Sequence, residues 1–348
     1  MKKLMIYPYT NEVEELLQYP SLSSSQYTIH CIGFEDSHTP MLHHVMNNYN
    51  IYCTANLEEG CRLCDSVLLI ENTMKFFHHS YMDIIKIAHR LKKDILLSKR
   101  LFNRLNLSSS TIGSYTIIDQ VDFKTQSESE RAYFDSIPTI VVMGMGENCS
   151  KFFVQLGIYS TLVRNDINVL SICSNPLGVI AGMYCIPAAL YSEDFSLVKK
   201  VAFFSEWVRA IVYKNKPDIV LIGCPGGLLP LANYCHNYYG ELALIISNSV
   251  VCDIGILCTY YLQDADLEVY EELKKLVKYR FGIEISQILT TNYIYRKNEG
   301  AKRIEYYHIN DPISVTIDTT IKSGESISDI TVMVNDLLSE LEEGVEVL

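Results

Sequence analysis

Short apolar runs alternate with amphipathic, helix-length stretches twice along this chain, once over residues 3 to 98 and again from residue 139 onward. Two apolar runs separated by a helix-length segment do not close as a hairpin. The connection returns the chain to the same end of a sheet, so the strands run parallel and helices cover both faces. In the first stretch Lys3-Leu-Met-Ile-Tyr-Pro8, Tyr27–Gly33, Ile51–Thr54, Asp65–Ile70 and Asp94–Ser98 read as strands. Asn11–Gln18 and Ser80–Leu91 read as helices, the second with Met82, Ile84, Ile85, Ala88 and Leu91 apolar.

The pattern weakens after Leu107, leaving one strand-like piece at Tyr115–Ile118 and then a polar, charged run. A linker is expected over 123–136. It would divide an α/β, Rossmann-like parallel sheet at 1–122 from a second α/β domain at 137–348 with helices on both faces. The second domain opens on a strand at Thr139–Met143, followed by a helix over Asn148–Asn165. Strands at Asn168–Cys173, Asp218–Gly223 and Leu242–Ile246 follow, with helices at 196–214 and Asp266–Phe281. Gln287–Tyr293 and "KRIEYYHI" read as late strands. Behind Ser326 or Ser328 as a cap, Ile327, Ile330, Val334, Leu337, Leu338 and Leu341 recur at helical spacing.

Between the strand at 139–143 and the helix after it lies "MGMGENCSKF", residues 143–152. A phosphate-binding loop needs a delivering strand, glycines that let backbone N–H groups turn toward the anion, a lysine, and a helix N-terminus. Gly144, Gly146, Glu147, Asn148, Ser150 and Lys151 are the residues expected to face an anion or nucleotide. Two features depart from the pattern. Ordinary spacing puts the glycines at Met145 and Ser150, so that only a loop one residue longer, from Gly144, starts on a glycine. Phe152 stands where a Ser or Thr hydroxyl would ligate the magnesium ion that accompanies phosphates.

Further on, "PDIVLIGCPGGLLPLANY" presents a strand closed by Gly226 and Gly227, which join the expected anion-binding set, and "LALIISNSVVCDIGILCTYYL" adds another strand and loop. This order resembles the dethiobiotin synthetase and MobB-like branch of P-loop proteins, in which the central strand ends in an acidic residue before a Gly-containing turn. Gly223 stands at that position here, followed by Cys224 and Pro225. The resemblance implies a degenerate P-loop-like domain that takes a nucleotide or phosphate. With hydroxyl and acid both absent, Mg²⁺ is not expected to be well held, nor ATP to be hydrolysed efficiently. Glu147, Asp218 and Asp253 are substitute carboxylates only if the fold brings them to the loop.

Over nearly its full length the chain also resembles the clostridial peptide maturation system proteins, through "VVMGMGENCSKF", "DIVLIGCPGGLLPL" and "KRIEYYHI". That resemblance implies a role in maturing or handling a ribosomally made natural-product peptide, with a precursor peptide or a maturation enzyme as partner. Among 24 tyrosines, pairs at 238 and 239, 260 and 261, and 306 and 307 suit a peptide-binding surface, and ordinary half-buried packing would explain them too.

Composition narrows the partners. With a net charge of -12, a pI near 5.2 and scattered basic residues, the chain has no electrostatic footprint for nucleic acid or an anionic membrane. The opening "MKKLMIYPYTNEVEELL" has only a short, interrupted apolar run, so neither a signal peptide nor a membrane span is expected. Eleven cysteines, several inside apolar runs, fit free thiols in a reducing cytoplasm.

Cys61-Arg-Leu-Cys64 has the C-x-x-C spacing of thiol exchange or half a zinc site, without a second pair; buried small side chains are expected. His30, His38, His43, His44, His78, His79 and His89 show no metal-ligand spacing, and no metal site is expected. Cys149, beside a helix N-terminus and Lys151, is the best candidate for a reactive thiol, although a buried turn residue is the favoured reading. Cys224 is a second, weaker one.

Three functions compete. The first is a non-hydrolysing accessory protein that binds peptide, partner enzyme or anion. The second is an ATP-dependent ligase or kinase with unconventional metal ligands. The third is a dinucleotide-binding oxidoreductase with the loop as a Rossmann turn, against which Cys149 occupies the third glycine position. The first fits the residues best; the oligomeric state, homo-oligomer included, is left open.

Overall fold

The computed structural model describes residues 1–22, 26–35, 45–71, 76–107, 115–120, 136–262, 267–309 and 321–345. The expected linker, apart from Ser136, lies outside these residues, as do His38, His43 and His44. Two compact units are formed, one from Met1–Asp122 with Asn175–Ser192, the other from Phe123–Ser174 with Glu193–Leu348.

The first unit contains β1 (Lys2–Tyr7), α1 (Asn11–Leu17), β2 (Tyr27–Gly33), β3 (Tyr52–Thr54), α2 (Leu57–Leu63), β4 (Ser66–Leu69), α3 (His78–Arg90), β5 (Asp94–Leu97), α4 (Lys99–Arg104) and β6 (Tyr115–Ile117). All neighbouring strands pair in parallel, in the order β3-β2-β1-β4-β5-β6. That is the doubly wound order, reversing direction beside β1. Side chains cap the starts of two helices: Asn56 accepts from Glu59 N before α2, and Ser98 accepts from Leu101 N before α4. Tyr81, Ile84, Ile85 and Ala88 form the buried face of α3. The turn after β1 is Tyr7-Pro8-Tyr9-Thr10, and without a glycine it does not form a pyrophosphate-cradling turn.

The second unit begins with β7 (Thr139–Gly144), α5 (Lys151–Arg164) and β8 (Val169–Cys173); the segment Asn175–Ser192 then carries β9 (Tyr184–Cys185). After it come α6 (Leu197–Asn215), β10 (Ile219–Gly223), α7 (Glu241–Ser249), β11 (Ile254–Thr259), α8 (Leu267–Phe281), β12 (Ile285–Thr290), the antiparallel pair β13 (Tyr293–Asn298) and β14 (Arg303–His308), β15 (Ile321–Ser323) and α9 (Ile327–Val345). Within a seven-stranded sheet the unit's strands run β15-β12-β11-β7-β10-β8. Every residue of β7 is buried, and the strand lies between β10 and β11. The loop that follows β7 therefore opens at the carboxyl edge of the sheet's centre, where ligands of such sheets bind.

Three element assignments differ from the sequence reading. Leu242–Ile246 is helical: Leu242, Ala243, Ile245, Ile246 and Ser249 make one buried helical face, and an unbroken apolar run serves either structure. The strand of that region is β11, which is buried throughout. Helix α5 starts at Lys151 rather than Asn148, because Asn148 and Ser150 both sit at φ 53°. The expected strand over Gln287–Tyr293 divides between the end of β12 and the start of β13. At the last helix Ser326 is the cap, accepting from Asp329 N, and Ile330, Val334 and Leu337 are buried. No helix among the described residues is long and apolar enough to cross a membrane.

Candidate functional site

Two hydrogen bonds fix where the loop after β7 begins. Cys224 N donates to Val142 O at 2.8 Å and Met145 N to Cys258 O at 2.9 Å, tying the loop's root to the ends of β10 and β11. The left-handed residues Asn148 and Ser150 then tighten the turn between β7 and α5, and left-handed residues in such turns are a feature of backbone anion-binding concavities. Among the described residues the amides of Gly146, Glu147 and Ser150 donate to no protein acceptor. The Ser150 hydroxyl accepts no capping hydrogen bond from the first turn of α5, so the helix start keeps its orphan donors.

Lys151 reaches back across this concavity. Its Nζ donates to Gly146 O at 3.2 Å and, in a short contact, to Gly226 O. Burial works against the ammonium, but the Glu147 carboxylate favours it and the lysine is held above its ordinary pKa. Glu147 itself is exposed. Of the two readings of Cys149, the buried turn residue fits: its thiol is fully buried, donates to Gly146 O at 3.1 Å, and burial raises its pKa against the pull of Lys151. Desolvation outweighs the nearby lysine and the backbone hydrogen bonds to the sulfur. The Cys224 thiol is likewise buried and pushed up to about 12.

The expected Gly226 and Gly227 do come to the loop, as its cover. Leu228 N donates to Gly144 O at 3.0 Å and Leu229 N to Met145 O at 3.3 Å, laying the segment after Pro225 along the loop. A Cβ on Gly227 would stand 2.5 Å from Gly146 Cα, so only glycine permits this approach. Gly144 and Gly146 are equally crowded, the first by Cys149 and Lys151, the second by Tyr260. The carbonyl of Gly226 thus occupies the lysine as an anion's oxygen would.

Neither metal-binding position is available. Phe152 offers a hydrocarbon ring. At Gly223 a Cβ would run into the Gln155 carboxamide, which is anchored by donating to Ser171 Oγ at 3.2 Å and Ile172 O at 2.8 Å. The amide fills the space an acid would need. Asp218 and Asp253 stand at the opposite, amino edge of the strands, accepting from Asn168 N at 2.9 Å and Thr139 N at 2.8 Å. They close the sheet and do not substitute at the loop. No group of three or more His, Cys, Asp or Glu side chains is gathered for a metal among the described residues. In the first unit Cys61 and Cys64 are buried, the former donating to Met5 Sδ at 3.8 Å.

Two neighbours of the loop escaped the sequence reading. Tyr260, fully buried, donates to Glu147 O, and burial raises its pKa; its ring lies 5.0 Å from that of Tyr295 and 5.9 Å from that of Tyr306. Glu325 accepts from Asn292 N at 3.0 Å and from Ser150 Oγ at 3.5 Å, with His308 Nε2 at 3.4 Å. The tyrosine was visible only as one of a pair. Nothing local to Glu325 marks it, since it meets Ser150 across 175 positions of chain.

No protein-family model and no curated protein sequence matches the chain. Among solved structures it is similar to a DUF1611 family protein from Anabaena variabilis, at 14% identity and a TM-score of 0.57, over 83% of this chain and 88% of that one. Cobyrinic acid a,c-diamide synthase from Mycobacterium smegmatis, with a bound ATP analog and magnesium, is similar at 16% identity and a TM-score of 0.38, over 60% of this chain and 96% of that one. At such identities the first likeness speaks for the fold: two parallel α/β sheets, Rossmann-like and P-loop-like, flanked by helices.

Proposed function

We infer that the second unit binds a phosphate-bearing anion at the Gly146–Lys151 loop without metal-assisted phosphoryl transfer, and that the chain is a non-hydrolysing accessory protein in the maturation of a ribosomally made peptide. The observation that carries the anion reading is that Lys151 and the unpartnered loop amides persist, while both metal positions are filled by Phe152 and the Gln155 carboxamide. An incoming phosphate oxygen would replace Gly226 O at Lys151 and meet the amides of Gly146, Glu147 and Ser150. Magnesium has no protein oxygen to join at either usual position, so the charge developing in a transfer reaction would go uncompensated.

The peptide side rests on the resemblance to clostridial peptide maturation proteins, with a precursor peptide or a maturation enzyme as the partner. Eleven free cysteines suit a reducing compartment such as the cytoplasm. Phosphate release from ATP, followed with Mg²⁺ and with Mn²⁺, tests the non-hydrolysing claim. Release no faster than in the absence of protein is expected. Sustained release abolished by Lys151→Ala would replace this reading with an ATP-dependent ligase or kinase.

A further inference from the structure

Immediately after the segment that covers the loop, Asn237, Tyr238, Tyr239 and Gly240 follow one another at φ 48°, 52°, 51° and 73°. Four successive left-handed residues, two of them tyrosines, make a turn that L-amino acids resist, and such backbone persists only where its surroundings over-determine it. The surroundings here are explicit. Asn237 Nδ2 donates to Leu229 O, the Arg280 guanidinium donates to Tyr239 O, and Tyr238 N donates to His236 Nδ1 at 3.1 Å.

The result of that clamping is outward display. Tyr238 is 53% exposed and Tyr239 59%, while His236 lies parallel to Tyr239 at 5.2 Å and 9°, backing the ring. The turn adjoins the loop through Gly227: a Cβ there would fall 2.8 Å from Asn237 Nδ2 and 2.5 Å from Gly146 Cα, so only a glycine fits where the Asn237 side chain and the loop both come close. Exposed rings on a turn that adjoins the candidate anion loop offer a stacking surface suited to one ligand class.

We propose that the His236–Gly240 turn is a nucleoside subsite: a base stacks on Tyr239 and Tyr238 while the phosphates of the same molecule reach the Gly146–Lys151 loop. This rests on the anion-binding reading and narrows it from phosphate to nucleoside phosphate. Stacking uses the π-face that every base has, so purine identity matters little and ATP and GTP bind alike. Asn237, next to these rings in the chain, anchors Leu229 through its carboxamide and with it the cover of the loop.

The test titrates ATP, GTP and inorganic tripolyphosphate, all in EDTA, into wild-type protein, Lys151→Ala and the double variant Tyr238→Ala, Tyr239→Ala. Wild type should bind both nucleotides about tenfold more tightly than tripolyphosphate, the scale of one stacked base. The double variant should lose that advantage and keep its tripolyphosphate affinity, whereas Lys151→Ala weakens all three. Nitration of Tyr238 and Tyr239 by tetranitromethane, mapped on wild type, should be slowed by ATP and not by tripolyphosphate, which needs no variant to fold. Nucleotides no tighter than tripolyphosphate, or an advantage that survives the double variant, would overturn the subsite and leave the anion reading intact. Failure of wild type to bind tripolyphosphate or either nucleotide would overturn both.

Discussion

Lys151 is pulled two ways: burial, the largest single effect, opposes its charge, while the Glu147 carboxylate and the sulfurs of Cys149, Cys224 and Cys258 together hold its pKa above the ordinary value. The same carboxylate must repel a phosphate arriving at the loop. Glu147→Gln should therefore tighten anion binding by roughly three- to tenfold, about 1 kcal/mol for an exposed charge beside the site; calorimetric titration reads it, and unchanged affinity would mean Glu147 does not face the anion. The raised lysine pKa sets a pH window. A cation whose folded pKa exceeds its unfolded value of about 10.4 contributes fully below that value and is lost only as pH rises through the higher folded one. Sulfate, which does not titrate in this range, should bind equally at pH 6 and pH 9. A steep loss between those values would mean that Lys151 is not held charged.

Also at this scale, Gly223→Asp would not restore a metal site, because the Gln155 carboxamide occupies the space. Overpacking there should cost about 1–3 kcal/mol in urea denaturation, with no gain in Mg²⁺ affinity. A variant of wild-type stability that binds Mg²⁺ would show the acid's place to be empty. The candidate residues of the loop were legible in sequence because strand, glycines, lysine and helix lie within one short stretch. Gln155 and Glu325 were not, since their roles depend on partners met only through the sheet's long-range order.

At the scale of elements, the loop works because β7 is central and its neighbours end beside it, and the cover works because β10 runs straight into Pro225 and two glycines. The turn after the cover stores strain. Tyr238→Gly removes a Cβ from a left-handed position and should raise stability by about 1 kcal/mol, a melting-temperature rise of roughly 2 °C in a chain this long. A drop instead would show that the ring's contacts with His236 outweigh the backbone cost. Elements with helical spacing were readable, as with α3 and α6. Leu242–Ile246 was not, because an apolar run carries no period. Its helical state follows from a left-handed Gly240 at its start and from β11 filling the place beside β7.

Across the whole molecule, both units are parallel α/β sheets, as the twofold alternation of apolar runs implied, and the order β3-β2-β1-β4-β5-β6 of the first is that of a doubly wound fold. The dinucleotide reading finds no glycine turn after β1 of that sheet and a cysteine in the third glycine position of the other loop. What distinguishes the second unit is the Gly146–Lys151 loop, proposed above to take an anion, which keeps its lysine and its amides, lies under its own chain, and has a hydrocarbon ring at Phe152 and the Gln155 carboxamide beside it. The direct test is calorimetric titration of tripolyphosphate into wild type and Lys151→Ala, in EDTA and then in excess Mg²⁺ over ligand. The account predicts binding to wild type in EDTA, no gain from Mg²⁺, and loss in the variant; binding that requires Mg²⁺, or that Lys151→Ala leaves unchanged, would contradict it.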